Sequence, residues 1–168
     1  MELWDLYDEN RNLVGLDHVR GERIPQGCYH LVVHVWIRNS AGQYLMSQRS
    51  ADRPSFPLMW ECVGGSVTKG EDSLIGALRE TEEEVGVILA PENGKVVHSE
   101  VREMFRGKRF ADILDVWLFQ YDGPIMLENA TTAEVAQAEW MTKEQIKALQ
   151  NEGKLVHSLD YFFTMEDL

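Results

Sequence analysis

The sequence predicts an α/β fold in which two layers of helix enclose a mixed β-sheet, with an added N-terminal β-hairpin. Three observations carry this. Short β-rich runs recur between turn residues over the first two thirds of the chain. An amphipathic helix follows a glycine-punctuated stretch near the middle. A second helix, with a complete N-terminal capping signature, follows the last β-rich run.

The elements follow in order. Residues 2–7 and 13–18 read as strands around the turn Asp8-Glu9-Asn10, a hairpin. Residues 31–37 form a β-rich run, and the turn at 38–42 leads to a second strand at 43–48. Pro54 and Pro57 mark an irregular loop that Trp60 anchors. Gly64, Gly65 and Gly70 read as loop punctuation before a helix starting at Asp72 or Ser73. Gly86 ends that helix near Val85. Residues 96–104 and 113–121 read as strands joined by the basic loop Arg106-Gly107-Lys108-Arg109. Residues 142–151 read as a helix with Thr142 as N-cap and Gln145 three residues on, a capping box. A short helix over 158–165 follows. There is no repeat or linker, so residues 1–168 read as a single domain with residues 1–29 as an N-terminal extension.

Charge narrows the function. The net charge is −12, so counterion release on a nucleic acid polymer offers no gain and an anionic membrane surface repels the chain. A phosphate-bearing substrate would need a cation between itself and this protein. Cys28 and Cys62 form no CxxC pair, and the acidic start of the chain is unlike a signal peptide. These features predict a cytoplasmic protein with reduced thiols, and leave Asn129-Ala130-Thr131 unglycosylated.

The informative segment is GSVTKGEDSLIGALRETEEEVGV, residues 65–87. At about 100° per residue, Leu74, Ala77, Leu78, Thr81 and Val85 share a face that can pack on a sheet. Glu80, Glu83 and Glu84, spaced i, i+3, i+4, share a neighbouring face, with Gly76 one turn earlier leaving room beside them. Like charges on one face repel, and negative charge is disfavoured near a helix C-terminus. A hard divalent cation held by the three carboxylates would reverse both penalties. Glu82 points elsewhere.

The spacing resembles the Nudix box, G-x5-E-x7-R-E-U-x-E-E-x-G-U, with U a bulky apolar residue. Gly65, Glu71, Arg79, Glu80, Glu83, Glu84, Gly86 and Val87 match it, and Thr81 replaces the first U. The resemblance implies a Nudix α/β/α sandwich with a mixed sheet and pyrophosphohydrolase activity. It implies Mg²⁺ as cofactor, with Mn²⁺ as a substitute, bound by Glu80, Glu83, Glu84 and the Gly64 carbonyl. Glu71 and Arg79 match positions that orient the helix and its carboxylates. Asp115 is the candidate further metal ligand, and Glu134 the candidate additional acid beside the box glutamates for the catalytic base.

For substrate binding, His34 and Trp36 share one face of their strand with His30 and Val32, and Trp36 could stack on a base or prenyl group. Arg49 is a candidate phosphate contact, and the basic loop 106–109 offers further positive charge. The expected partner is a small-molecule diphosphate, with the N-terminal hairpin a candidate homodimer interface.

Two rival functions stay open. The N-terminal hairpin, the strand from His30 and the run WECVGG resemble the isopentenyl-diphosphate-isomerase-like branch of the Nudix family. Those isomerases carry a cysteine followed by Gly-His before the helix, where this chain has Gly64 and Ser66, and Cys62 lies two residues early. The second rival is a non-catalytic ligand-binding module; the intact box argues against it.

Overall fold

The computed structural model describes residues 1–168. Strands β1 (Leu3–Tyr7) and β2 (Leu13–Val19) pair antiparallel as a separate two-stranded sheet. The hairpin docks on the loop before the glutamate helix: Asp5 accepts from the Gly70 amide at 2.8 Å, and the Lys69 amide donates to the Leu3 carbonyl at 2.8 Å.

The main sheet contains β3 (His30–Arg38), β4 (Tyr44–Arg49), β5 (Trp60–Glu61), β6 (Val63–Ser66), β7 (Gly94–Phe105), β8 (Lys108–Gln120) and β9 (Val135–Met141). Its path is β5-β4-β3-β8-β7, with β6 also on β3 and β9 on β4. Only β3 and β8 pair in parallel, so the sheet is mixed. Helix α1 (Ser73–Val85) covers one face. Helix α2 (Lys143–Asn151) and a 3₁₀ turn at His157–Phe163 cover the other.

Alternation along β3 builds both layers. Leu31, Val33, Val35 and Ile37 meet Ala77 and Val85 of α1 in one core. Trp36 joins Met46, Leu114, Val116, Ile146, Leu159 and Phe162 in the other. Asp72 caps α1 by accepting from the Ile75 amide at 2.8 Å, and Gly86 closes it at φ 70. A Cβ at Gly86 would lie 1.9 Å from the Met126 carbonyl oxygen, so both backbone angle and space require glycine there. The buried Thr81 donates its hydroxyl to the Ala77 carbonyl at 2.8 Å, which lets a polar residue occupy the packing face. Thr142 and Gln145 form both halves of the expected capping box.

Four local expectations change. Gly64 and Gly65 belong to strand β6 rather than to a loop, because neighbouring groups come too close for side chains. A Cβ at Gly64 would lie 2.8 Å from the Val33 carbonyl oxygen, and one at Gly65 would lie 2.3 Å from Glu80 Oε1. Gly76 makes room for Val67 rather than for the carboxylates. The basic loop shrinks to a tight turn, with Arg106 and Gly107 both at positive φ, so β7 and β8 run almost to its tip. Residues 135–141, given no element by their weak alternation, form β9 through antiparallel pairing with β4.

Candidate active site

Strand β6, helix α1 and the segment leading into β9 bring the acids together. The Thr131 and Thr132 amides donate to the Glu83 carbonyl at 2.9 and 3.2 Å. These bonds satisfy the open C-terminal end of α1 and deliver Glu134 beside it. A cavity of about 180 Å³ is lined by Glu80, Glu83, Glu84, Glu134, Gly64 and Arg53, with Arg79 in its wall. A second, of about 270 Å³, is lined by His34, Arg49, Glu61 and Cys62. Arg53, Gly64 and Gly65 border both, so the two form one crevice.

Arg79 organises the carboxylates. Its guanidinium donates to both oxygens of Glu71 at 2.7 and 2.9 Å, to the Ser66 carbonyl at 3.1 Å, and to Glu80 and Glu83 at 3.1 Å each. Glu71 also accepts from the Thr68 amide at 3.0 Å. These contacts lock the loop before α1 to its acidic face.

Glu84 has no such partner. It is buried, and its Oε2 makes no hydrogen bond. Burial first, then the nearby Glu61, Glu80 and Glu134 carboxylates, push its pKa well above the ordinary range. Burial raises Glu80 to about 7 despite the adjacent Arg79. A buried carboxylate with one orphaned oxygen among other acids is a donor set that fits a hard cation. As it stands, no three acidic, imidazole or thiol groups converge closely enough to hold an ion. Arg79 Nη1 bridges Glu80 and Glu83, while its Nε and Nη2 are held by Glu71 and Ser66.

His34 lines the second cavity with a defined hydrogen-bonding role. Trp36 Nε1, which can only donate, gives its proton to the Tyr161 hydroxyl oxygen at 2.9 Å. The Tyr161 proton is then free for His34 Nδ1, 2.8 Å away. Burial lowers the His34 pKa to about 3, so the ring is neutral and carries its proton on Nε2.

Three predicted site residues are placed differently. Trp36 is fully buried and stacks on Phe162 with ring centroids 4.3 Å apart, so it has no face for a substrate. Asp115 lies on the α1 side of the sheet, outside the crevice, where Arg11 and Ser99 satisfy it. Its hydrogen bonds hold its pKa below the ordinary carboxylate value against the effect of burial. It is a structural ion pair rather than a metal ligand. Arg11→Ala should therefore lower stability by about 1–3 kcal/mol in denaturant melts and leave turnover unchanged. A loss of turnover at full stability would return Asp115 to the site. Arg49 lines the crevice, but it is committed to Glu61 at 2.7 Å and to the Ser55 carbonyl at 2.9 Å.

Arg53 and Glu61 are site residues that sequence reasoning missed. Arg53 pairs with Glu134 at 2.6 Å and keeps a buried Nε–H without a partner. It comes from the irregular Pro54 loop, where no periodicity indicates direction. Glu61 occupies a two-residue strand, too short to show alternation.

Comparisons with known proteins agree with this geometry. The NUDIX domain family matches residues 29–162. An uncharacterized Nudix hydrolase of Listeria monocytogenes is 37% identical over 164 residues, covering 97% of this chain and 91% of its own. A crystal structure of a Deinococcus radiodurans protein superposes with a TM-score of 0.69 at 25% identity, covering 92% of each chain. A bifunctional NMN adenylyltransferase/ADP ribose pyrophosphatase of Francisella tularensis, complexed with AMP and a manganese ion, shares the fold. It has a TM-score of 0.59 at 20% identity, covering 81% of this chain and 40% of its own. The box residues, the mixed-sheet sandwich and the family match over most of the chain lead to one conclusion: the chain belongs to the Nudix family of pyrophosphohydrolases.

Proposed function

We propose that the chain hydrolyses a diphosphate linkage in a nucleoside diphosphate derivative or similar small molecule, with Mg²⁺ as cofactor and Mn²⁺ as a substitute. The observation that carries this reading is the buried carboxylate of Glu84, whose Oε2 has no hydrogen-bond partner, beside Glu80, Glu83 and Glu134. Glu80, Glu83, Glu84 and the Gly64 carbonyl would hold the cation. When bound, it supplies charge neutralisation for the diphosphate and makes nearby water more acidic.

The chain's own residues supply the rest. Arg79 holds the box carboxylates in register. Glu134, outside the helix, would accept the proton of the attacking water. Arg53, with its unpartnered Nε–H, would contact a phosphate oxygen, the role first expected of Arg49. His34 would donate from Nε2 to another substrate oxygen. We infer further that residues 1–168 act as one cytoplasmic Nudix domain with the N-terminal hairpin as an extension.

The isomerase reading lacks a reactive thiol. Cys62 is buried, and burial together with the neighbouring carboxylates raises its pKa well above the ordinary value. The deciding assay is hydrolysis of a panel of nucleoside diphosphate derivatives and prenyl diphosphates with and without Mg²⁺, comparing wild type with Glu83→Gln. Mg²⁺-dependent turnover that collapses in the variant is the expected result. Conversion of isopentenyl to dimethylallyl diphosphate would replace this reading with the isomerase. Ligand binding without any turnover would replace it with a binding module.

A further inference from the structure

Next to the acidic crevice is a cavity of a different character, of about 220 Å³, formed where the Pro54 loop, the β7–β8 turn and the C-terminal 3₁₀ segment meet. Phe56, Phe105, Phe110 and Val156 supply its apolar surface, and Arg106, Lys108, His157 and Ser158 line the remainder. Ser158 also lines the crevice, and Ser55 of the crevice precedes Phe56 in the chain. The two cavities therefore adjoin.

Its chemistry is selective. Phe56 is 44% exposed on a backbone at φ 49, a conformation that a bulky residue rarely adopts. Leu58, two residues on, is at φ 62. The loop thus keeps a phenyl ring outward at the cavity, where it meets His157 in a T-shaped arrangement with ring centroids 6.3 Å apart. Arg102 lies over one face of Phe110, 4.7 Å from the ring centroid. Among the basic residues of the β7–β8 turn, Arg106 pairs with Asp160 and Arg109 with Glu103, while Lys108 has no ion pair. A free ammonium beside phenyl rings, in a protein of net charge −12, complements a planar ring carried on an anion. The cavity is smaller than the roughly 300–1,000 Å³ that enclose drug-sized ligands, and suits a single ring system.

We propose that this cavity binds the nucleobase of the substrate, holding the aromatic end of a nucleotide whose phosphates lie in the adjoining acidic crevice. This rests on the hydrolase reading for the position of the phosphates. Phe56 and Phe110 take the stacking role that the buried Trp36 cannot perform, and Lys108 guides the anion inward. A flexible alkyl chain gains contact area from the same walls but no ring stacking.

The test is binding of compounds that contain no diphosphate linkage, so it does not depend on turnover. The wild-type protein with Mg²⁺ is titrated with the four nucleoside monophosphates, ribose 5-phosphate and isopentenyl monophosphate, with calorimetry and the NMR signals of the Phe rings as readouts. At least one nucleotide should bind about tenfold or more tightly than ribose 5-phosphate, given the usual contribution of base–aromatic stacking. It should shift the Phe56 and Phe110 ring signals. Phe56→Ala, an exposed position, should remove most of that preference and leave ribose 5-phosphate binding unchanged; Phe110→Leu is the second variant. Equal affinity for nucleotides and ribose 5-phosphate overturns the proposal, as does equal affinity for isopentenyl monophosphate or a preference that survives both variants. Base-dependent binding without Mg²⁺-dependent hydrolysis of any nucleoside diphosphate derivative would instead count against the hydrolase reading alone.

Discussion

Glu84→Gln should lower Mg²⁺-dependent turnover by about 10²–10⁴-fold and at the same time stabilise the metal-free protein. The two effects have one cause. Glu84 is buried beside Glu61, Glu80 and Glu134, and its Oε2 has no protein partner. Without a cation, ionising it costs folding energy; with one, the same charge becomes a ligand. Its folded-state pKa is raised, so the penalty is absent at acid pH, where the group is protonated both folded and unfolded. It grows as pH rises above the ordinary carboxylate range towards the folded-state value. Metal-free Glu84→Gln should thus match wild type near pH 4 and exceed it by roughly 1–3 kcal/mol in mildly alkaline buffer. Mg²⁺ should raise the melting temperature of wild type much more than that of the variant. Calorimetric melts across pH, with and without Mg²⁺, measure all of this. A variant that is less stable than wild type at alkaline pH without metal would mean that Glu84 is already paired.

The second large effect belongs to Trp36. Trp36→Ala should cost about 3–5 kcal/mol, the usual loss for truncating a buried Trp, or roughly 6–20 °C in melting temperature for a chain of this size. The indole stacks on Phe162, meets the Tyr44 ring edge-on and donates to Tyr161. Its removal opens a void between the sheet and the C-terminal 3₁₀ segment. Trp36→Phe should retain most of the packing and leave KM unchanged. A large rise in KM with little change in melting temperature would instead place the indole against the substrate.

Much of the fold was legible because its signals are local. The hairpin, the first two strands of the main sheet, both helices and their caps follow from alternation, helical spacing and the chemistry of Asp72, Gly86 and Thr142. Strand β9 was not legible, because its burial alternates weakly and its partner, β4, lies about 90 residues earlier. Glycine in a sequence reads as a turn, so Gly64 and Gly65 looked like loop. Only the approach of Val33 and Glu80 shows why a strand needs them there.

The site divides in the same way. The sequence by itself determined that Glu80, Glu83 and Glu84 share a helix face, because helical geometry sets those distances locally, while the roles of Glu71, which precedes the helix, and Arg79 came from the resemblance to the box. Tertiary structure decided which residues from elsewhere in the chain join them. It placed Arg53 and Glu134 in the crevice, tied Arg49 to Glu61, moved Asp115 to an ion pair with Arg11, and buried Trp36 under Phe162. Strand alternation names two faces for β3 but not what covers each of them. Here the second face is covered by a segment more than 120 residues later in the chain, close to its end. A contact at that separation depends on how the whole chain packs, and no local spacing encodes it.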